Sequence, residues 1–224
     1  VSREGRARVE ALYEDRDVIA LDKPEGMPTV PQDGRGAKSL YDVATDLIRR
    51  KNPKGRAAVV HRLDRGTSGV VLFAKHARMK KSLMDGWNEA VRERLYVAVV
   101  EGRPDADEGV LDDVLREDRD GRVRVCGEGR RGGLRAITRW VLAATNGRFS
   151  LVECELETGR RHQIRAQWSA AGHPVAGDAR YGARSDPLRR VCLHARTLVI
   201  ALAPGEEPIR IVSPEPDAFH RLVE

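Results

Sequence analysis

The chain has 224 residues, 41% apolar and 4% aromatic, enough for a real core in one large domain or two small ones. Lysine and arginine (40) exceed aspartate and glutamate (34), and a basic surplus suits a polyanionic partner, because each neutralised phosphate releases counterions. No run of about 18 apolar residues is present to suggest a membrane-spanning helix, and the charged N-terminus is unlike a secretory signal. Cys126, Cys154 and Cys192 lie far apart, without zinc or disulfide-framework spacing, and read as reduced thiols of a cytoplasmic protein.

In chain order, residues 1–16 read as a mobile leader to one domain spanning residues 1–224. Asp17 to Leu21 is a short apolar strand, stopped by the turn residues Asp22-Lys23-Pro24-Glu25-Gly26. Ser39 is placed to cap a helix running to about Lys51, with Leu40, Val43, Leu47 and Ile48 on one face. Asn52-Pro53-Lys54-Gly55 ends it. Next comes His61-Arg62-Leu63-Asp64-Arg65-Gly66-Thr67-Ser68-Gly69, followed by the strand-length run Val70 to Lys75. His76 to Glu93 has helical spacing through Met79, Leu83, Trp87 and Ala90, and Leu95 to Val100 is a strand. Residues 103–120 are acidic and turn-rich and match no element. Strands are expected around Val123 and Val125, over Leu134 to Ala143 and over Arg148 to Leu156. Thr158-Gly159 opens a helix to about Ala171, ended by Gly172 and Pro174. Leu193 to Leu202 and Ile209 to Val212 are the last strands. Strands outnumber helices and few βαβ units appear, so the expected fold is α+β, with a mixed, largely antiparallel sheet and flanking helices.

Three segments carry candidate chemistry. Asp64 stands between Arg62 and Arg65 at the mouth of a strand. The plain reading is an ion pair that closes a loop; the functional one is a carboxylate held by cations where a pocket can form. Neighbours along a strand face opposite ways, so a cation for Asp64 is better sought elsewhere in the chain. Glu157-Thr158-Gly159-Arg160-Arg161-His162-Gln163-Ile164-Arg165 crowds cations at the positive end of a helix; the plain reading is a solvated basic helix start, and the functional one is a site for an anion, either a phosphate or a carboxylate such as Asp64. Tyr96, opening a strand, is either a core ring or an active-site one. Gly127-Glu128-Gly129-Arg130-Arg131-Gly132 spells a dinucleotide fingerprint, but the alternating run after it is strand-like, whereas that motif requires a helix. It is read as a flexible hairpin tip carrying Arg130 and Arg131, either a solvated tip without a function or one that grips a phosphate backbone. The six histidines lack metal-ligand spacing, so no metal is expected.

The segment HRLDRGTSG resembles the signature of the RluA family of pseudouridine synthases. The resemblance implies that Asp64 is the nucleophile and that adjacent Arg62 fills the gap left by a flipped-out base. ETGRRHQIR resembles the family's third motif, which implies that Arg165 pairs with the catalytic aspartate and that Ile164 lines the uracil pocket. Arg92-Glu93-Arg94-Leu95-Tyr96-Val97-Ala98 resembles the segment holding the active-site tyrosine, Tyr96, although Arg94 stands where a lysine is usual. Ile19 to Met27 resembles the first motif, whose Lys-Pro turn supports the site from beneath. The segment from Gly172 to Gly182 is also typical of the family.

The resemblance, extending from about Asp17 to Ala203, implies the pseudouridine synthase catalytic fold and isomerisation of uridine to pseudouridine in ribosomal or transfer RNA. It implies a base-flipped substrate and no cofactor, and a monomer is expected. Arg161 joins Arg130 and Arg131 as a candidate for RNA-backbone contact. No small S4-like module is expected ahead of Asp17. The competing reading is a basic RNA-binding protein on the same fold that has lost catalysis.

Overall fold

The structure, a computed structural model, describes residues 9–31, 38–127, 129–203 and 205–224. The first half of the expected leader, residues 1–8, lies outside the described residues, but its end does not: β1 (Ala11–Glu14) pairs antiparallel with β2 (Val18–Lys23). Asp15 closes the turn between them by accepting the N–H groups of Asp17 and Val18, both at 2.7 Å. The leader reading therefore fails for residues 11–14, where Leu12 and Tyr13 pack on the core.

Helix α1 (Leu40–Lys51) starts where Ser39 and Asp42 cap each other reciprocally, and buries Leu40, Ala44, Thr45 and Ile48. The short β3 (Ala58–Val59) and the long β2 both pair with β4 (Ser68–Ala74). Every residue of β4 is buried, as its unbroken apolar run requires. The expected helix over His76 to Glu93 is shorter. His76 caps α2 (Ala77–Asp85), Gly86 interrupts it, and a single turn, α3 (Trp87–Ala90), leads into β5 (Val91–Glu101).

The chain then enters a second unit. Its sheet order is β5, β9 (Phe149–Leu156), β8 (Leu134–Thr145), β6 (Glu108–Glu117), β7 (Val123–Cys126), with each neighbouring pair antiparallel. Helix α4 (Gln163–Ala170) is followed by a 3-10 turn over Ala179–Tyr181. Residues 163–168 of α4 are all buried. Its polar members are satisfied inside the unit: Gln167 accepts the Thr138 hydroxyl at 2.7 Å and donates to the carbonyls of Leu111 and Ala136, each at 3.0 Å. β10 (Leu193–Ile200) carries the chain back to the first unit, where β11 (Ile209–Val212) pairs with Thr197–Ile200; α5 (Asp217–Arg221) returns to the second.

The two compact units are thus Val1–Arg92 with Thr197–Pro214, and Glu93–Arg196 with Glu215–Glu224. The first has a core of Val18, Ala20, Val70, Leu72, Leu83, Leu198, Ile200 and Ile211. The second is built around Val97 to Val100, Leu151, Val152, Trp168 and Phe219. The class is α+β with largely antiparallel strands, as expected from the sequence.

β7 and β8 flank β6 on opposite sides. The segment between them therefore crosses over β6 and is no hairpin tip; Glu128 within it lies outside the described residues. A strand follows that segment, so the glycine pattern does not open a nucleotide-binding helix.

Candidate active site

Asp64 lies half-buried in the loop between β3 and β4, with Arg62 and Arg65 exposed on either side. The loop is tied down residue by residue. Leu63 is buried, and its carbonyl and N–H bond the Thr29 hydroxyl at 2.8 and 3.2 Å. The N–H of Thr67 donates to the Asp64 carbonyl at 3.1 Å, closing the turn that enters β4. Arg65 clasps the loop to its neighbour: its Nε donates to the Gly26 carbonyl at 2.8 Å, and Gly26 N–H donates back at 2.9 Å. Gly26 has φ +77, a conformation that L side chains rarely adopt.

Beneath both loops sits Lys23, with no exposed surface. Its Nζ donates to the carbonyls of Pro24 (3.0 Å), Met27 (2.7 Å) and Arg65 (3.1 Å). A buried ammonium is tolerated only with such a shell of acceptors. Its effect is to fix the turn after β2 against the residue following Asp64, the supporting role expected for the Lys-Pro turn. His61 has a structural task that sequence reasoning left unassigned: its Nε2 accepts the Leu72 N–H at 2.9 Å, and its ring lies 5.1 Å from that of Trp87.

The second unit holds the remaining candidates. Tyr96 is half-buried on β5 opposite Cys154. Ile164 is buried in the core of this unit with Val97 and Trp168. Arg94, which stands where the resembled motif has lysine, donates from Nη2 to the carbonyls of Leu156 (3.1 Å) and Glu157 (2.9 Å), and burial lowers its pKa. Its guanidinium reaches two carbonyls at once, and so holds the loop before α4.

That loop corrects the expected helix start. α4 begins at Gln163, not at Thr158-Gly159, because His162 has a left-handed backbone, φ 53. The Gln163 side chain accepts the Thr158 hydroxyl at 2.8 Å and the Arg160 N–H at 2.9 Å, folding the preceding residues onto the helix end. Arg160 and Arg161 therefore precede the helix. Arg160 donates to the Arg135 carbonyl at 3.0 Å, and Arg161 pairs with Glu117.

Arg165 lies in the first turn, where a cation is disfavoured by the helix dipole unless an anion answers it. One that does so is Asp178, 1% exposed, which accepts from Nε at 2.6 Å and from Nη2 at 2.9 Å. The guanidinium also lies 4.8 Å from the centre of the Tyr181 ring, whose hydroxyl accepts the Val123 N–H at 3.0 Å and lies 2.8 Å from His162 Nδ1. Sequence reasoning sought a carboxylate for Arg165 but did not consider Asp178; the available signal was its place in the Gly172 to Gly182 segment. Asp64 and Arg62 belong to the first unit, whereas Tyr96, Arg130, Arg131, Arg161, Ile164 and Arg165 belong to the second. Arg130 and Arg131 are exposed. Among the described residues, no three His, Cys, Asp or Glu side chains gather to hold a metal ion, and no helix is long and apolar enough to cross a membrane.

Among solved structures, the chain is similar to human RNA pseudouridylate synthase domain containing 4, with a TM-score of 0.77 and 23% identity, covering 95% of this chain and 92% of that one. It is also similar to human RNA pseudouridylate synthase domain containing 1, with a TM-score of 0.73 and 26% identity over 96% and 87% of the two chains. These likenesses define the fold class as that of the pseudouridine synthases. Residues 17–170 match the model of the RNA pseudouridylate synthase family. The chain is 34% identical to the uncharacterized RNA pseudouridine synthase YhcT of Bacillus subtilis, over 96% of this chain and 71% of the relative. It is also 34% identical to the ribosomal large subunit pseudouridine synthase D of Xanthomonas campestris, over 95% and 67%. The chain belongs to the RNA pseudouridylate synthase family, in its RluA-type branch, and is an RNA pseudouridine synthase, an isomerase.

Proposed function

We propose that the protein isomerises specific uridines in ribosomal or transfer RNA, with Asp64 as the nucleophile acting on a flipped-out uridine. The observation that carries this reading is the clamped loop: Lys23, Thr29 and Gly26 fix the backbone on both sides of Asp64 while leaving that residue half-buried. A nucleophile must be held within a fraction of an ångström of its productive position. In the reaction the N1–C1′ bond breaks, a C5–C1′ bond forms, C5 loses its proton and N1 gains one. Atoms and electrons balance within the substrate, so the chemistry calls for no cofactor.

In this reading Tyr96 stacks on the uracil and assists loss of the C5 proton, Arg165 favours the ionised Asp64, and Ile164 lines the uracil pocket. Exposed Arg62 fills the space the base vacates. Arg130, Arg131 and Arg161 touch the RNA backbone, Arg161 by exchanging Glu117 for phosphate. The two units act together as one catalytic domain, in a cytoplasmic monomer. Ribosomal RNA as a target is supported by the name of the Xanthomonas relative, a ribosomal large subunit pseudouridine synthase. The test is tritium release from RNA labelled at C5 of uridine. Asp64→Asn should abolish release while RNA affinity stays near that of the parent. Turnover by Asp64→Asn within tenfold of the parent would remove Asp64 from the role.

A further inference from the structure

We propose that Asp178 is a positioning residue for the isomerisation: its buried carboxylate sets the plane and direction of the Arg165 guanidinium. This rests on the reading of Arg165 as part of the active site. Three observations carry it.

First, the geometry is a fork. Both carboxylate oxygens of Asp178 are engaged, one by Nε and one by Nη2 of Arg165. Two parallel bonds fix rotation about the guanidinium axis, which one bond would leave open. The Tyr181 ring, 4.8 Å from the guanidinium carbon, covers a face of the same group. With that edge and that face held, the direction of the Nη1 edge is set as well.

Second, the loop that carries Asp178 does not need its side chain. The backbone does that work: Asp178 N–H donates to Val175 at 3.0 Å, and the Asp178 carbonyl accepts from Tyr181 at 2.9 Å and Ala183 at 3.2 Å. Gly177 N–H donates to the Ser185 carbonyl at 2.8 Å.

Third, a buried ion pair is a poor means of gaining stability, since apolar residues of similar volume commonly do as well or better. A pair with Asp178 1% and Arg165 9% exposed fits a need for one particular orientation.

The experiment is a double-mutant cycle on the full chain, using single-turnover tritium release from RNA labelled at C5 of uridine and taken from cells lacking this gene. Asp178→Asn keeps the volume and removes the charge. It should slow release by about 10²-fold, the scale of an ångström-sized misplacement, with RNA affinity within about twofold of the parent. Because Asp178 acts through Arg165, the double variant with Arg165→Ala should be no slower than Arg165→Ala alone. A slow Arg165→Ala beside an Asp178→Asn at the parental rate overturns the positioning role, and so do additive losses. A parental rate for Arg165→Ala overturns instead the reading of Arg165 on which the role rests. Should Asp178→Asn fail to fold, the unaltered enzyme answers through nitrogen-15 spectra of its arginine side chains. The Arg165 Nε–H signal, assigned by its absence from Arg165→Lys, should be resolved and slow to exchange with solvent. A fast-exchanging signal overturns the proposal.

Discussion

Replacing Lys23 by methionine keeps most of the side-chain volume and removes one ammonium from a site with no exposed surface. Three carbonyls lose a charged donor: those of Pro24, Met27 and Arg65. Hydrogen bonds from a charged group contribute about 1.5–3 kcal/mol each, which bounds the gross loss at roughly 5–9 kcal/mol. Against this, the variant no longer desolvates an ammonium, a saving of several kcal/mol, and the Arg65 carbonyl keeps its bond from Gly26 at 2.9 Å. The net destabilisation should be about 2–4 kcal/mol, measured by urea unfolding of the full chain. Loss of turnover should exceed what unfolding explains, because the residue after Asp64 is among the groups released. At a temperature where the variant remains folded, tritium release should fall by at least about tenfold while RNA affinity stays near the parental value. A variant destabilised by less than about 1 kcal/mol with parental turnover would refute the view that Lys23 holds the Asp64 loop.

Gly177→Ala should be far more damaging than its size suggests: φ is +79, and an added Cβ would lie 1.9 Å from the Arg190 carbonyl oxygen. The expected cost exceeds about 4 kcal/mol, measured by the same unfolding, with loss of the folded protein at ordinary temperatures as the extreme case. Thiol labelling at neutral pH should find Cys126 first, since burial pushes both Cys154 and Cys192 up to about 12; rapid modification of Cys154 in native protein would contradict its packing. Hydrogen bonds from Lys75 and then Lys51 hold the Glu14 carboxyl below its ordinary value. A depressed acid contributes stability above its unfolded pKa and loses it as pH falls through the folded one. Glu14→Gln should therefore cost no more than about 1 kcal/mol at neutral pH, and the difference should vanish in acid, below the usual glutamate range near 4.3, as read from unfolding curves across pH.

The elements that were legible in the sequence are those whose signals are local. α1 shows its boundaries because the reciprocal cap of Ser39 and Asp42 and the stop at Asn52 all lie within the segment. β6 shows nothing comparable. Its apolar residues come in adjacent pairs, Val110-Leu111 and Val114-Leu115, with acids between them, so the strand period is hidden. Those acids find partners 23 and 54 residues away, Arg135 for Asp112 and Gln167 for Asp113. Trp87 and Ala90 keep helical spacing across Gly86, yet tertiary pairing claims the chain for β5 at Val91. Family wording pointed to the chemically suggestive residues. It did not show what holds Arg165, because the Asp178 fork is a long-range pairing that no period records. Lys23 was visible as a motif residue, but its three carbonyl partners become apparent only when two loops are folded together.

The chain passes between the units after Arg92, after Arg196 and after Pro214. Each unit is therefore assembled from two separated stretches of chain. During synthesis, residues 93–196 emerge before the strand segments Thr197–Ile200 and Ile209–Val212 that complete the first unit's sheet. The first unit must wait for them with Leu72 and Leu83 lacking the cover of Leu198, Ile200 and Ile211. The second unit waits longer still, since fully buried Phe219 lies near the end. Closing such distant segments costs chain entropy before any contact rewards it. Cutting the gene at any single point divides at least one unit, so neither unit can be produced as one contiguous fragment free of residues of the other.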